Sequence, residues 1–256
     1  MSTEDQLLAA RLQREAQFHD TKYSSGHLAP RHYAAWPTQY VYLQMRDALG
    51  DLRDKRVLEY GCGEGWITRD LARLGGSICA FDISAQAADN TKRVLTDANV
   101  LARCSVEVMA AENLSYEADS FDIAVGFAII HHLDLPSALK ELHRVLKPGG
   151  VAYFAEPLAT NPAIQLYRRL TPQYRTVDER PLELAQLPAL LAAFRSFEHR
   201  EYYLTALGAI ALTYLPGGAR LFPQLSAPLH RLDRVLLRLI PALGRWAWYT
   251  VLKITK

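Results

Sequence analysis

Val57-Leu58-Glu59-Tyr60-Gly61-Cys62-Gly63-Glu64-Gly65 takes the chain from a short apolar strand straight into a glycine-rich turn that opens a helix. Such a turn suits a charged small molecule, because glycines remove side chains where a ligand approaches the backbone and permit positive φ. The spacing separates the candidate ligands. A dinucleotide fingerprint, G-x-G-x-x-G, needs its third glycine one place later than Gly65, and that place is Trp66. Glu59, just before the turn, repels phosphate but suits a ligand carrying an ammonium group. The turn therefore points to a nucleoside that bears an amino acid.

Outward from this turn, strand and helix alternate. Strands are predicted near 56–60, 77–82, 104–109, 121–127 and 150–156, with helices between them, the pattern of a doubly wound, mostly parallel α/β sheet covered on both faces. Asp82 closes the run Ser77–Ile83 one strand-helix-strand unit after Glu59, where a ribose-binding carboxylate is needed. Leu135, Ala138, Leu139, Leu142, Val145 and Leu146 share one helical face, and Lys147-Pro148-Gly149-Gly150 stops that helix.

Residues 57–65 match every specified position of V-L-D/E-x-G-C-G-x-G, and the chain thereby resembles the class I S-adenosylmethionine-dependent methyltransferases, a Rossmann-like family. Phe121–Phe127 followed by His131-His132, and Leu142–Gly150, resemble its later motifs in order, so the resemblance spans residues 55–157. It implies S-adenosylmethionine as methyl donor and S-adenosylhomocysteine as product. Glu59 and Gly61 would then serve the methionine end, with Gly63 and Gly65 giving access and Phe127 contributing its backbone. Asp82 would hold the ribose hydroxyls and Ile83 would lie against adenine. Many relatives carry an acid two residues before the glutamate of a D-x-E-like segment to bind the adenine amino group. Here the segment reads Ala110-Ala111-Glu112, which leaves Ala111 backbone groups, Glu112 or apolar walls for that contact.

On the acceptor side, histidine is the side chain best matched to removing a hydroxyl proton near neutral pH. His131 and His132 follow the fourth strand, and Glu156, ending the fifth, is expected to open toward the same crevice. This arrangement resembles natural-product O-methyltransferases, in which such residues are candidates for base and orienter. O-methylation of a small lipophilic acceptor is favoured. C-methylation of a quinone-like or isoprenoid acceptor, or a non-catalytic S-adenosylmethionine-binding module, is the alternative. Around 126–136 only Asp134 is available to hold magnesium, so no metal is expected. The motifs of enzymes that methylate DNA bases are absent, and nucleic acid is not an expected partner.

With 256 residues, 50% hydrophobic and 22% charged, the chain is read as one domain with appendages. The first residues are acidic where a secretory leader is basic, and the three cysteines, Cys62, Cys79 and Cys104, show no C-x-x-C spacing. A cytoplasmic protein is expected. Residues 1–36 form an N-terminal helical lid, with helix near 5–18. Residues 37–215 form the methyltransferase domain, with a cap insertion near 158–195 containing helices near 163–170 and 182–194. A late strand is placed at Ser196–Leu204.

Residues 216–256 are set apart as a basic amphipathic segment. From Arg220 onward there are seven lysines and arginines against the single acid Asp233. Arg231, Arg234, Arg238 and Arg245 interleave with leucines before Trp246 and Trp248, which fits a helix lying on the inner face of an anionic membrane, or a basic face on a helix packed against the domain. The oligomeric state stays open at this point.

Overall fold

The structure, a computed structural model, describes residues 3–25 and 37–256. The chain enters through α1 (Thr3–Ser25) and α2 (Pro37–Leu49). It then alternates β1 (Arg56–Tyr60), α3 (Trp66–Arg73), β2 (Ser77–Asp82), α4 (Ala85–Asp97), β3 (Cys104–Val108), β4 (Phe121–Phe127), α5 (Leu135–Val145) and β5 (Leu146–Pro157). The cap contributes α6 (Pro162–Leu170) and the short α7 (Leu187–Leu190), after which come β6 (Ser196–Tyr202), α8 (Leu207–Leu212), α9 (Phe222–Leu239) and β7 (Tyr249–Thr255).

The strands form one sheet of seven in the order β3-β2-β1-β4-β5-β7-β6. The first five are parallel, and β7 runs antiparallel to both neighbours. Alternation along the buried strands feeds two cores. Val57, Ile78 and Ile123 join Val41, Met45, Leu71 and Leu95 on one face, while Leu58, Cys79 and Ala124 join Leu142 of α5 and Leu187 and Leu191 of the cap on the other. Each large side chain buried in this way stabilises the fold by about 1.5–3 kcal/mol. Three helices start on polar caps: in α4 Ser84 accepts from Ala87 N, in α5 Asp134 from Ser137 N, and in α6 Asn161 from Ala163 N and Ile164 N.

The doubly wound α/β expectation holds, and two local expectations do not. The C-terminal segment set apart as 216–256 is a helix only to Leu239, and its last residues enter the sheet between β5 and β6, pairing Glu156 with Thr250 and Glu201 with Thr250. The apolar run from Trp248 to Leu252 drives this, and the arginine-leucine period before it obscures the change of period in the sequence. The helix expected over 182–194 is reduced to a 3-10 turn, Leu184–Gln186, and the four residues of α7, with Pro188 in its first turn. The helix expected near 5–18 is present and runs over Thr3–Ser25, and the lid residues 26–36 lie outside the described residues.

Gly65 begins α3 at φ +75°, and a Cβ built there meets the Thr91 Cα of α4 at 2.8 Å. Its task is close helix packing rather than ligand access. Gly65→Ala combines left-handed strain with a backbone clash and is expected to cost about 2 kcal/mol or more. At roughly 2–4 °C per kcal/mol, thermal denaturation should show a clear drop in Tm, and an unchanged Tm would refute the packing role.

Candidate active site

The turn after β1 is held by its neighbour strand. Cys62 N donates to Phe81 O at 3.0 Å, and Gly63 N donates to Asp82 Oδ2 at 3.0 Å. Asp82 Oδ1 also accepts from Ser84 N at 2.9 Å. Burial raises the Asp82 pKa, against the pull of the Ser84 and Gly63 N–H groups. One carboxylate therefore fixes the glycine turn and the start of the next loop while standing at the carboxyl edge of the sheet.

Two adjoining cavities open at this edge. The smaller, about 90 Å³, is lined by Gly61, Asp82, Ile83, Ala111, Glu112 and Phe127 of the core, and by Glu15, His19, Lys22 and Tyr23 of α1. The larger, about 790 Å³, is lined by Gly61, Gly63, Phe127, His131 and His132, and by aromatic and aliphatic side chains that include Trp66, Tyr167 of α6, Ile210 and Tyr214. Gly61, Lys22, Tyr23, Phe127, Ala128 and His132 border both, so the cavities meet beside His132.

Glu112 Oε1 accepts from Asp134 N at 2.8 Å, while its Oε2 is buried with no hydrogen-bond partner among the described residues. Burial pushes its pKa up. A buried acceptor without a donor carries a cost that a ligand N–H relieves.

Three expected site residues line neither cavity. Gly65 faces α4, as described above. Glu59 lies beneath the turn, 2% exposed, beside Thr68, and its Oε2 has no partner among the described residues. Burial pushes its carboxyl up to about 8, against the pull of the Thr68 hydroxyl. Unfolded, this group ionises near 4.5, so the fold holds a proton that the unfolded chain releases, and stability falls as pH rises from about 4.5 to about 8. Glu59→Gln is therefore expected to match the parent at pH 4.5 and to gain on it by about 1.4 kcal/mol per pH unit up to pH 8. Denaturant melts across that range are the check, and a constant difference would contradict burial of a neutral carboxyl.

Glu156, expected to open toward the crevice, is instead fully buried behind it. Its Oε1 accepts from Ile129 N at 2.8 Å and Ile130 N at 3.0 Å, and its Oε2 lies 2.7 Å from His131 Nδ1. It orients His131, whose Nε2 lies 3.8 Å from Glu179 Oε1, and Glu179 is in turn paired with Arg168.

His132 has a carboxylate of its own, and it comes from α1. Its Nδ1 lies 3.2 Å from Glu15 Oε2, with His19 Nε2 3.5 Å from the same oxygen. Burial favours a neutral Glu15, yet hydrogen bonds from His132, His19 and Thr176 hold its carboxyl well below the usual range. Burial and the neighbouring His131 push His132 down to about 3. At neutral pH the imidazole is uncharged. With Nδ1–H donated to Glu15, the Nε2 lone pair is left available.

α1 is held by further contacts on both sides of the cleft. Arg11 donates to the carbonyls of His132 at 2.9 Å and Leu133 at 2.8 Å, Arg14 pairs with Asp178 at 2.8 Å, and Asp20 accepts from Ser84 Oγ at 2.6 Å. Glu15, His19, Lys22, Arg168 and Glu179 were not singled out in the sequence. The one local sign was Glu15 and His19 standing one helical turn apart. Two sets of atoms lie close enough to share a metal ion, Glu15/His19/His132 and His131/His132/Glu179. The expectation of no metal considered only residues 126–136 and overlooked both sets.

Residues 58–154 match a protein family described as a methyltransferase domain. The chain is 26% identical over 184 residues to a demethylmenaquinone methyltransferase of Chlorobaculum tepidum, covering 71% of this chain and 65% of that one. It is 33% identical over 117 residues to a ubiquinone biosynthesis O-methyltransferase of Paraburkholderia phymatum, covering 45% of this chain and 50% of that one. It thus spans less than two thirds of the length of either relative. Among solved structures, geranyl diphosphate C-methyltransferase of Streptomyces coelicolor A3(2) shares the fold at TM-score 0.63 and 13% identity, covering 96% of this chain and 97% of that one.

Proposed function

This chain belongs to the class I S-adenosylmethionine-dependent methyltransferases, and from that premise we propose that it methylates a hydroxyl of a small lipophilic acceptor held in the larger cavity. The observation that carries this reading is the His132–Glu15 pair at the junction of the two cavities, which sets a neutral imidazole between a nucleoside-type pocket and an apolar one.

The smaller cavity fits the cofactor in kind. Asp82 retains lone pairs for ribose hydroxyls, Ile83 and Ala111 give apolar walls for a purine, and the unpartnered Glu112 Oε2 is an acceptor for its amino group. The cradle at Gly63 admits no side chain, since a Cβ there would meet the Tyr23 hydroxyl at 2.9 Å. Glu112 thus takes the place of the acid that relatives carry two residues earlier. When bound, S-adenosylmethionine supplies an electrophilic methyl group on a sulfonium.

The protein's own contribution is placement, exclusion of water and the handling of one proton. The walls at Trp66, Phe127 and Tyr167 hold an apolar acceptor and keep the site dry. His132 Nε2 takes the acceptor hydroxyl proton as the methyl group is transferred, and Glu15 offsets part of the cost that burial and His131 place on the imidazolium. His131, fixed by Glu156, supports the ring of His132, their centroids 4.3 Å apart.

C-methylation is the second reading, favoured by the similarity to a demethylmenaquinone methyltransferase, and it uses the same base to remove a ring proton. The discriminating experiment supplies phenolic and quinol acceptors with carbon-13-labelled cofactor and reads the product by NMR. A methoxy resonance supports the hydroxyl reading, a methyl on ring carbon overturns it in favour of the second, and cofactor binding without any product supports the non-catalytic module.

A further inference from the structure

The outer face of α9 carries exposed leucines beside arginines, and we propose that it docks on an anionic lipid bilayer. α9 is anchored by its inner face. Asp233 accepts from Leu204 N at 3.0 Å, Thr205 N at 2.6 Å and Ala206 N at 3.2 Å, and His230 stacks on Tyr40 with ring centroids 3.7 Å apart. Phe222 is buried on the same side. With that side fixed, the rest of the helix points to solvent.

At about 100° per residue, Leu225, Leu232, Val235 and Leu239 fall on one narrow stripe, and Arg231, Arg234 and Arg238 fall on the stripe beside it. The leucine stripe is open: Leu232 is 44%, Val235 54% and Leu239 72% exposed. Trp246, 42% exposed with the Arg245 guanidinium 4.4 Å from its ring centroid, continues the surface beyond the helix. A packed C-terminal helix buries its leucines, and a merely solvated one has none to show.

Charge selects the occupant. The only acid in α9 is Asp233, which is buried and spent on the Leu204–Ala206 amides, and none of Arg231, Arg234 and Arg238 has an acidic partner among the described residues. A second copy meeting this face with the same face would offer it no acid either. An apolar stripe flanked by unneutralised arginines and followed by an interfacial tryptophan matches the boundary between acyl chains and anionic headgroups. No helix among the described residues is long and apolar enough to cross a membrane, so the attachment is peripheral.

The surface also continues into the larger cavity. Leu207, Ile210, Ala211 and Tyr214 of the α8 region line that cavity, and the chain runs on through exposed Leu215 and Leu221 into α9. Docking therefore places an apolar entrance at the bilayer surface. That a lipophilic acceptor enters there rests on the proposed function, whereas docking itself does not.

The test sediments the full chain, without cofactor or acceptor, with phosphatidylcholine vesicles lacking or containing phosphatidylglycerol. The bound fraction should rise about tenfold or more with the anionic lipid and be lost near 1 M salt, where the Debye length is about 3 Å. Arg231→Gln/Arg234→Gln/Arg238→Gln should abolish the preference for anionic lipid. Leu232→Ser/Leu239→Ser should abolish binding, with Tm unchanged in both variants because the altered side chains are exposed. Binding indifferent to lipid charge, no binding, or a dimer in solution that the leucine variant dissociates would each overturn the proposal. Because methyl transfer is not measured, its failure would leave the docking result standing, and the reverse holds too.

Discussion

His132→Ala is expected to lower kcat by about a hundredfold or more while changing the affinity for S-adenosylhomocysteine far less, since general base catalysis contributes about 10²–10⁴ and the ring, at the junction of the cavities, is only one of many groups bordering the smaller one. The pH profile adds a sharper requirement. Burial and His131 push His132 down to about 3, so its neutral form persists far below the ordinary histidine midpoint near 6.5. Turnover should therefore stay flat from pH 8 to pH 5. A fall centred near pH 6.5 would show that the imidazole is not held neutral as the structure implies. A variant that keeps full turnover would leave positioning alone as the mechanism.

Asp82→Ala should weaken cofactor binding by about ten- to a hundredfold. The substitution removes a carboxylate whose charge-assisted hydrogen bonds are worth about 1.5–3 kcal/mol, and it also releases the Gly63 and Ser84 N–H groups that the carboxylate organises. Calorimetry with S-adenosylhomocysteine measures the loss directly. Asp82→Asn keeps an acceptor for only one of those two amides, its NH2 group facing the other, and should fall between. Equal affinities for all three proteins, with the fold intact, would remove Asp82 from the cofactor site.

How far the sequence carries depends on the distance over which each feature is encoded. The glycine turn, Asp82 and the alternation of strands and helices are local, and they appear in the structure where pattern and spacing put them. The partner of His132 is not local: Glu15 lies 117 residues earlier, on a helix whose packing no periodicity reveals. Glu156 shows the same limit from the other side. Its place at the end of β5 was legible, but an acid at a strand end can face the cleft or back a histidine, and only the Ile129 and Ile130 amides decide for the second. β7 was missed because Lys253 and Lys256 prolong the basic pattern of α9 across a run that is buried in the sheet. Glu112 was named as one of several options for adenine, and the sequence could not show that its Oε2 would be buried without a hydrogen-bond partner among the described residues.

The central claim, that this cleft transfers methyl groups with His132 as base, is tested most directly by incubating the protein with methyl-labelled S-adenosylmethionine and a lipid extract, then counting label in the organic phase. The account predicts label in an organic-soluble product for the parent chain and about a hundredth of that rate for His132→Ala at saturating cofactor. Label that stays in the aqueous phase while the cofactor binds tightly, or equal transfer by the two proteins, would contradict it.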